Sequence, residues 1–240
     1  MKTKYIISML LSVMGLTVMG QYSVQTPWGT SVNVTYVAPQ DELDLTSRLH
    51  WDSIREQQHP DADFQPTWSA YLQYPNLSST NRFNCHGYAW HMYWFGEDYE
   101  LDEPYNMTYS EAENYFDDPS FKACIQAEAD IWVFNGGTHS AVATDQPSEL
   151  KSKWDIGPLA VHDFDDHPYT PIVTTVFYKK CLEEVTATYF SDIALNYCAV
   201  RFSNTTVSSY VDLEVEYEEG IQITGTFSTG TGATLYFHPD

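Results

Sequence analysis

Residues 81–96 read NRFNCHGYAWHMYWFG, and the fold of this stretch decides how the rest of the chain must be arranged. After Cys85 the run is apolar and aromatic, and it closes on Gly96, the residue type that most readily ends a helix. The pattern predicts a buried helix with Cys85 near its N-terminus. Downstream, residues 109–128 predict a second helix that starts near Ser110, with Glu111 and Glu113 in the first turn, where the macrodipole favours acids. Residues 129–137 (ADIWVFNGG) and 138–145 (THSAVATD) predict two strands joined at Asn135-Gly136-Gly137. Further short strands are expected over 150–154 and 159–164. A helix followed by such a meander predicts an α+β unit.

Upstream, the Pro, Asn and Ser of residues 60–81 read as loop, and residues 43–58 (ELDLTSRLHWDSIREQQ, 42–58) read as helical. Residues 21–40 suggest an extended segment with Val24, Val32, Val34, Tyr36 and Val37 among Thr and Ser. At the start, Lys2 and Lys4 precede an apolar run over 5–18 and then Met19-Gly20, the order of a secretory signal peptide. After Pro171, Thr, Val, Tyr and Ser alternate, and Gly220, Gly225, Gly230 and Gly232 punctuate the end, which predicts an all-β module. The expected organisation is a leader over 1–20, an N-terminal extension and helix over 21–80, an α+β core over 81–171 and a β module over 172–240.

The chain has 11 Lys+Arg against 33 Asp+Glu, a net charge of −22. Such a surface repels phosphate backbones and anionic lipid, so neither nucleic acid nor a membrane is an expected partner. The apolar leader is shorter than the roughly 20 residues that span a bilayer. Aromatic residues make up 15% of the chain, which places it with globular proteins and not with acidic disordered ones. Four cysteines are too few for a disulfide-dense scaffold, although Cys181 and Cys198 lie close enough in sequence to pair in an oxidising compartment. The sequence sets no oligomeric state.

Cysteine chemistry needs a thiol at a helix N-terminus and an imidazole from elsewhere in the chain. Cys85 meets the first condition. His139, which follows the Gly-Gly turn and opens a strand, meets the second. The base needs a polar group to fix its tautomer and ring plane, and His162 at the end of PLAVH is the candidate. A zinc site among Cys85, His86, His91, His139, His162 and His167 is disfavoured, because His86 and His91 lie five apart and diverge around a helix. The run 162–167 lacks the glycine-turned ladder of calcium loops. No metal or other cofactor is expected. Trp51, Trp68 and Trp154 are the tryptophans expected to line a cleft, while Trp90, Trp94 and Trp132 belong to the expected core.

The succession Asn84-Cys85-His86-Gly87-Tyr88, Ala129-Asp130-Ile131-Trp132-Val133 and His139-Ser140-Ala141-Val142 resembles the NlpC-type branch of the papain-like cysteine peptidases and amidases, over residues 83–164. The resemblance implies a papain-like helix-plus-sheet fold and hydrolysis of amide bonds in bacterial cell-wall peptides. It makes Cys85 the nucleophile, His139 the base, and a peptide or peptidoglycan fragment the partner. Asn84, His86 and Tyr88 flank the nucleophile as substrate or orienting candidates, and Tyr74 or Tyr88 would assist. In that branch the third polar residue often falls about a dozen positions after the histidine. Here Lys151 occupies that place, so either an insertion moves the role to His162, or Asp155 or Asp163 serves. His86 stands where the family has a small hydroxyl residue. The C-terminal residues 205–240 resemble the small β modules of exported Bacteroidetes-type proteins. The rival expectation is an inactive papain-like scaffold serving as a surface binding or adhesion protein.

Overall fold

A computed structural model of the 240-residue chain describes residues 20–67, 77–95, 105–169, 171–189, 191 and 193–239. The expected leader up to residue 19, and Trp68, Tyr74 and Gly96, lie outside the described residues.

The chain begins with an antiparallel hairpin of β1 (Gly20–Gln25) and β2 (Ser31–Tyr36), in which Val32 and Val34 turn inward while Ser31 and Asn33 face out. Helix α1 (Leu45–Gln58) is capped by the Asp44 carboxylate, which accepts the Ser47 N–H. Strand β3 (Asp63–Gln65) follows. Helix α2 covers residues 85–95 and is wide, with i→i+5 geometry, over Gly87–Met92 before its last turn at Tyr93–Phe95. Next come β4 (Tyr105–Asn106), α3 (Tyr109–Phe116), β5 (Phe121–Ala123), β6 (Ile131–Phe134), β7 (His139–Ala143), β8 (Glu149–Lys153), β9 (Leu159–Asp163) and β10 (Thr175–Lys180).

These strands form a seven-stranded antiparallel sheet in the order β3-β9-β8-β7-β6-β10-β5, and β4 joins β2 on the hairpin. Strand β6, IWVF, is buried on both faces, hence its unbroken apolar run. Ile131 and Val133 pack with Val142 under Trp90, Tyr115 and Phe121 on the helical face. Trp132 and Phe134 pack with Ala141 and Leu150 on the opposite face. The molecule is thus mixed helix and sheet, mostly strand, as the α+β expectation required.

Three expectations are corrected. Helix α3 has the capping box at Thr108 and Glu111, but it ends at Phe116 and not near residue 128. Asp117-Asp118-Pro119 stops it, because a residue before proline avoids the helical region; Asp118 then accepts the Ser120 N–H at 2.8 Å and the Thr26 hydroxyl at 2.5 Å. The α+β unit does not end near Pro171. Asn135 at the hairpin tip accepts the Val173 N–H and donates to the Pro171 carbonyl, holding this segment so that β10 enters the sheet beside β6. Residues 21–80 are likewise no appendage, since β3 borders β9 and α1 carries a buried clamp. Within it, fully buried Arg48 donates to Glu42 at 2.5 Å and to Thr67 at 3.1 Å, while Asp52 accepts the N–H groups of Ser78 and Ser79.

Beyond Cys181 all strands pair in parallel: β11 (Leu182–Val185), β12 (Thr188–Tyr189), β13 (Ile193–Val207), β14 (Asp212–Thr229) and β15 (Thr234–Pro239). Leu182 lies opposite Ala199, Ile193 opposite Leu213, and Asp212 opposite Thr234, so each rung of a coiled sheet stacks on the last. The corners repeat as well. Left-handed Asn204 (φ 50°) stacks on Gly225 (φ 65°), and Tyr210 (φ 64°) on Gly232 (φ 76°), conformations that Gly and Asn adopt most readily. Val200, Phe202, Val207, Leu213 and Val215 fill the interior. Cys181 and Cys198, whose pairing the sequence left open, form a disulfide at the junction with the first sheet. No helix among the described residues is long and apolar enough to cross a membrane.

Replacing Arg48 by Met leaves the Glu42 carboxylate buried without its guanidinium. Urea unfolding should show a loss of about 3–5 kcal/mol, the usual cost of breaking a buried ion pair from one side. A loss below about 1 kcal/mol, as for exposed pairs, would show that the clamp is not structural.

Candidate functional site

Asn84 prepares the start of α2. Its amide oxygen accepts the Gly87 N–H at 2.9 Å and the Met107 N–H at 3.1 Å, and its amide nitrogen donates to the Met107 carbonyl at 2.7 Å. Its side chain is therefore a helix cap that also ties α2 to the segment after β4, and not a group offered to substrate. Gly87 permits that approach, because a Cβ there would collide with the Tyr105 carbonyl oxygen.

Capping places Cys85 in the first turn of α2, against β7. The sulfur receives the backbone N–H groups of Ser140 and His86, and buried Lys153 contributes positive potential; all three favour a thiolate. Burial outweighs them. Cys85 is 6% exposed, and its pKa is pushed up to about 11, so the resting group is a thiol. Lys153 donates to the carbonyls of Asp155 and Gly157 and lies over the Phe83 ring, and desolvation brings its pKa down to about 7.

His86, the residue unlike the family pattern, locks α2 to β7. Its Nδ1 lies 2.8 Å from the Ser140 hydroxyl, and its other nitrogen donates to the Gly137 carbonyl. The Trp90 indole donates to the same hydroxyl at 3.1 Å. Ser140 therefore donates to His86 and accepts from Trp90, which requires a neutral imidazole. Burial supplies that state by lowering the His86 pKa to about 4. Tyr88, a proposed substrate contact, is 1% exposed and belongs to the core beside Phe83.

His139 and Ser140 are consecutive on a strand, so their side chains take opposite faces. The His139 ring stacks 4.1 Å from the Tyr169 ring and also faces Phe134 and His167. It is fully buried, neither ring nitrogen has a hydrogen-bond partner, and desolvation holds its pKa well below the ordinary value. Cys85 thus meets the strand of His139 through the Ser140 N–H, and no hydrogen bond joins sulfur to imidazole.

The expected orienting group is corrected too. His162 shares the sheet face of His139, but its Nδ1 donates to the Asp163 carbonyl at 2.9 Å and its Nε2 accepts the Ser152 hydroxyl at 2.8 Å. Both nitrogens are occupied, and neither reaches His139. Asp155 and Asp163 are exposed, and the hydrogen bonds they give the site come from their backbone carbonyls, the Asp155 charge adding a weak push upward on the Cys85 thiol. The groups that do surround His139, Tyr169 and His167, were not singled out as partners. His167 accepts the Tyr169 N–H at 3.0 Å, so its Nε2 bears the proton, buried and without a partner. An aromatic two residues past a histidine in an acidic loop was the only signal for this pair. Among the described residues no group of His, Cys, Asp and Glu is arranged to hold a metal.

Compared with protein-family models, curated proteins and solved structures, the chain has no match.

Burial depresses His86, His91 and His162 from 6.5 to about 4. The unfolded chain therefore binds more protons than the folded one between these values. The contribution of neutral burial is complete above pH 6.5 and is lost as pH falls toward 4, at up to about 1.4 kcal/mol per pH unit for each histidine. Urea midpoints measured from pH 7 to 4.5 should fall accordingly, and Ser140→Ala should lower the whole curve. A midpoint that holds constant over that range would contradict the assigned protonation states.

Proposed function

We propose that the chain is an exported papain-like cysteine hydrolase that cleaves amide bonds, with Cys85 as nucleophile and His139 as base. One observation carries this reading: a thiol in the first turn of a helix, met by two backbone N–H groups, lies against the strand whose histidine is buried with both nitrogens unpaired. Leaving a buried donor and acceptor unmet costs about 1–3 kcal/mol each, and such costs are retained where chemistry uses them. The disulfide favours an oxidising compartment, in line with export. The substrate class, stem peptides of peptidoglycan, follows from the motif resemblance around Cys85 and His139.

The resting pair is neutral thiol and neutral imidazole, so the mechanism is general-base and not a standing ion pair. Because Ser140 and not His139 faces α2, this reading requires the start of β7 to rearrange when substrate binds so that the imidazole reaches the sulfur. His139 takes the thiol proton as sulfur attacks the carbonyl carbon, and the N–H groups of Ser140 and His86 that met the sulfur help to receive negative charge. The C–N bond breaks, the leaving amine takes the proton from His139, and water then cleaves the thioester. Tyr169 holds the plane of the imidazole by stacking.

The second reading is a catalytically silent scaffold, and the burial and raised pKa of Cys85 favour it. Activity separates the two. Digestion of peptidoglycan stem peptides should fall by about a thousandfold or more in Cys85→Ala and in His139→Ala, with circular dichroism unchanged. No cleavage by the unaltered chain, or equal cleavage by Cys85→Ala, leaves the scaffold reading. On the hydrolase reading, His162→Gln, which keeps a polar side chain, should retain most activity.

A further inference from the structure

A second candidate site lies away from Cys85, where the β1–β2 turn and the end of α2 meet the coiled parallel sheet. It is an open cleft of about 750 Å³ whose lining includes Trp28, Trp94, Phe95, Arg201, Gln222 and Thr224. We propose that this cleft binds a short uncharged oligosaccharide of hexose or N-acetylhexosamine units.

Three features select that chemistry. The first is the aromatic wall: Trp28 and Trp94 are half-buried and Phe95 is 42% exposed. Indole faces offer large rigid apolar surface at low entropic cost, which suits the C–H faces of pyranose rings. The second is a set of planar polar groups with hydroxyls beside them. Arg201 donates to Gln222 at 2.5 Å, to Glu184 at 2.6 Å and to the Pro27 carbonyl, while Ser203 and Thr224 border the same space. Fixed amide, guanidinium, carboxylate and hydroxyl groups match the closely spaced donors and acceptors of a sugar ring. The third is charge. Glu184 offsets Arg201, and the whole chain carries −22, so the cleft offers no net positive field to a polyanion.

The cleft is also held in shape before any ligand arrives. A Cβ at Gly220 would stand 2.9 Å from the Trp28 ring, so the absence of a side chain there lets the indole approach β14 closely. The Trp28 backbone N–H donates to the Ser120 hydroxyl at 3.0 Å, which fixes the turn that carries the indole, and Trp94 packs edge-on against Phe121. Platforms fixed in this way lose little freedom on binding, which is where preorganised sites gain affinity. The site needs neither Cys85 nor His139, so it stands whether or not the hydrolase reading does.

The test titrates the full chain with β-1,4-linked N-acetylglucosamine oligomers and, in a second arm, β-1,4-linked glucose oligomers, followed by tryptophan fluorescence and calorimetry. Saturable binding in either arm is expected, and the arm that binds more tightly identifies the sugar type. Thr224→Trp, which fills the cleft, should abolish it, and Gln222→Ala should weaken it by roughly tenfold, the scale of one lost hydrogen bond. Trp94→Ala should also lose binding; where that variant unfolds, Thr224→Trp alone decides. Cys85→Ala should bind unchanged. Absence of binding in both arms, or binding that survives Thr224→Trp in a folded protein, overturns the proposal.

Discussion

The hydroxyl of Ser140 is the point on which the rest of the arrangement depends. It joins the helix bearing Cys85 to the strand bearing His139, donating to His86 and accepting from Trp90. A hydroxyl shared by two buried partners fixes both distance and rotation, and low dielectric around it raises the cost of losing either bond. Because Ser140 faces the helix, His139 must face away, so one hydrogen-bonded residue also dictates where its neighbour's imidazole goes. The lock works only while His86 is neutral, which burial ensures.

Much of this was legible in the sequence. The strands around Asn135-Gly136-Gly137, the helix after Cys85 and a helix starting near Ser110 rest on local periodicity and turn chemistry, and all are found; the change to all-β structure is found too, but only past Cys181. Non-local effects were not legible. Pro171 looks like a boundary by composition, yet Asn135, far upstream, draws residues 171–174 back to the first sheet. Asn84 and His86 look like active-site neighbours because they flank a cysteine; only the fold shows that their polar atoms serve capping and locking. The parallel stacking beyond Cys181 leaves weak traces, with Asn204 and Gly225, then Tyr210 and Gly232, recurring at its corners.

Electrostatically, the site is dominated by desolvation. Cys85 is raised, whereas His86, His139, His162 and Lys153 are lowered, and in each case burial is the largest cause. The neighbourhood thus favours neutral forms throughout, and the backbone donors on the sulfur are too weak to reverse this at rest. On the proposed mechanism, charge separates only when substrate reorganises the site, so the free protein holds a protected thiol. Were the chain exported, as proposed, that would suit an oxidising compartment, where a standing thiolate is open to oxidation.

The coiled sheet is joined to the first unit through specific polar contacts as well as apolar ones. The Thr26–Thr30 turn is pinned to Asp118 and Ser120 on one side, and Arg201 and Gln222 reach the carbonyls of Pro27 and Trp28 on the other. Cys181, Leu182 and Ala199 pack under Trp28 and Trp94 at the same junction. The turn that closes the first hairpin is therefore ordered by both units at once, and so is the cleft it borders. A spacer would need only the apolar patch and the disulfide. The additional polar contacts fix side chains that face open space, which is the arrangement expected where a surface has to hold its shape for a ligand.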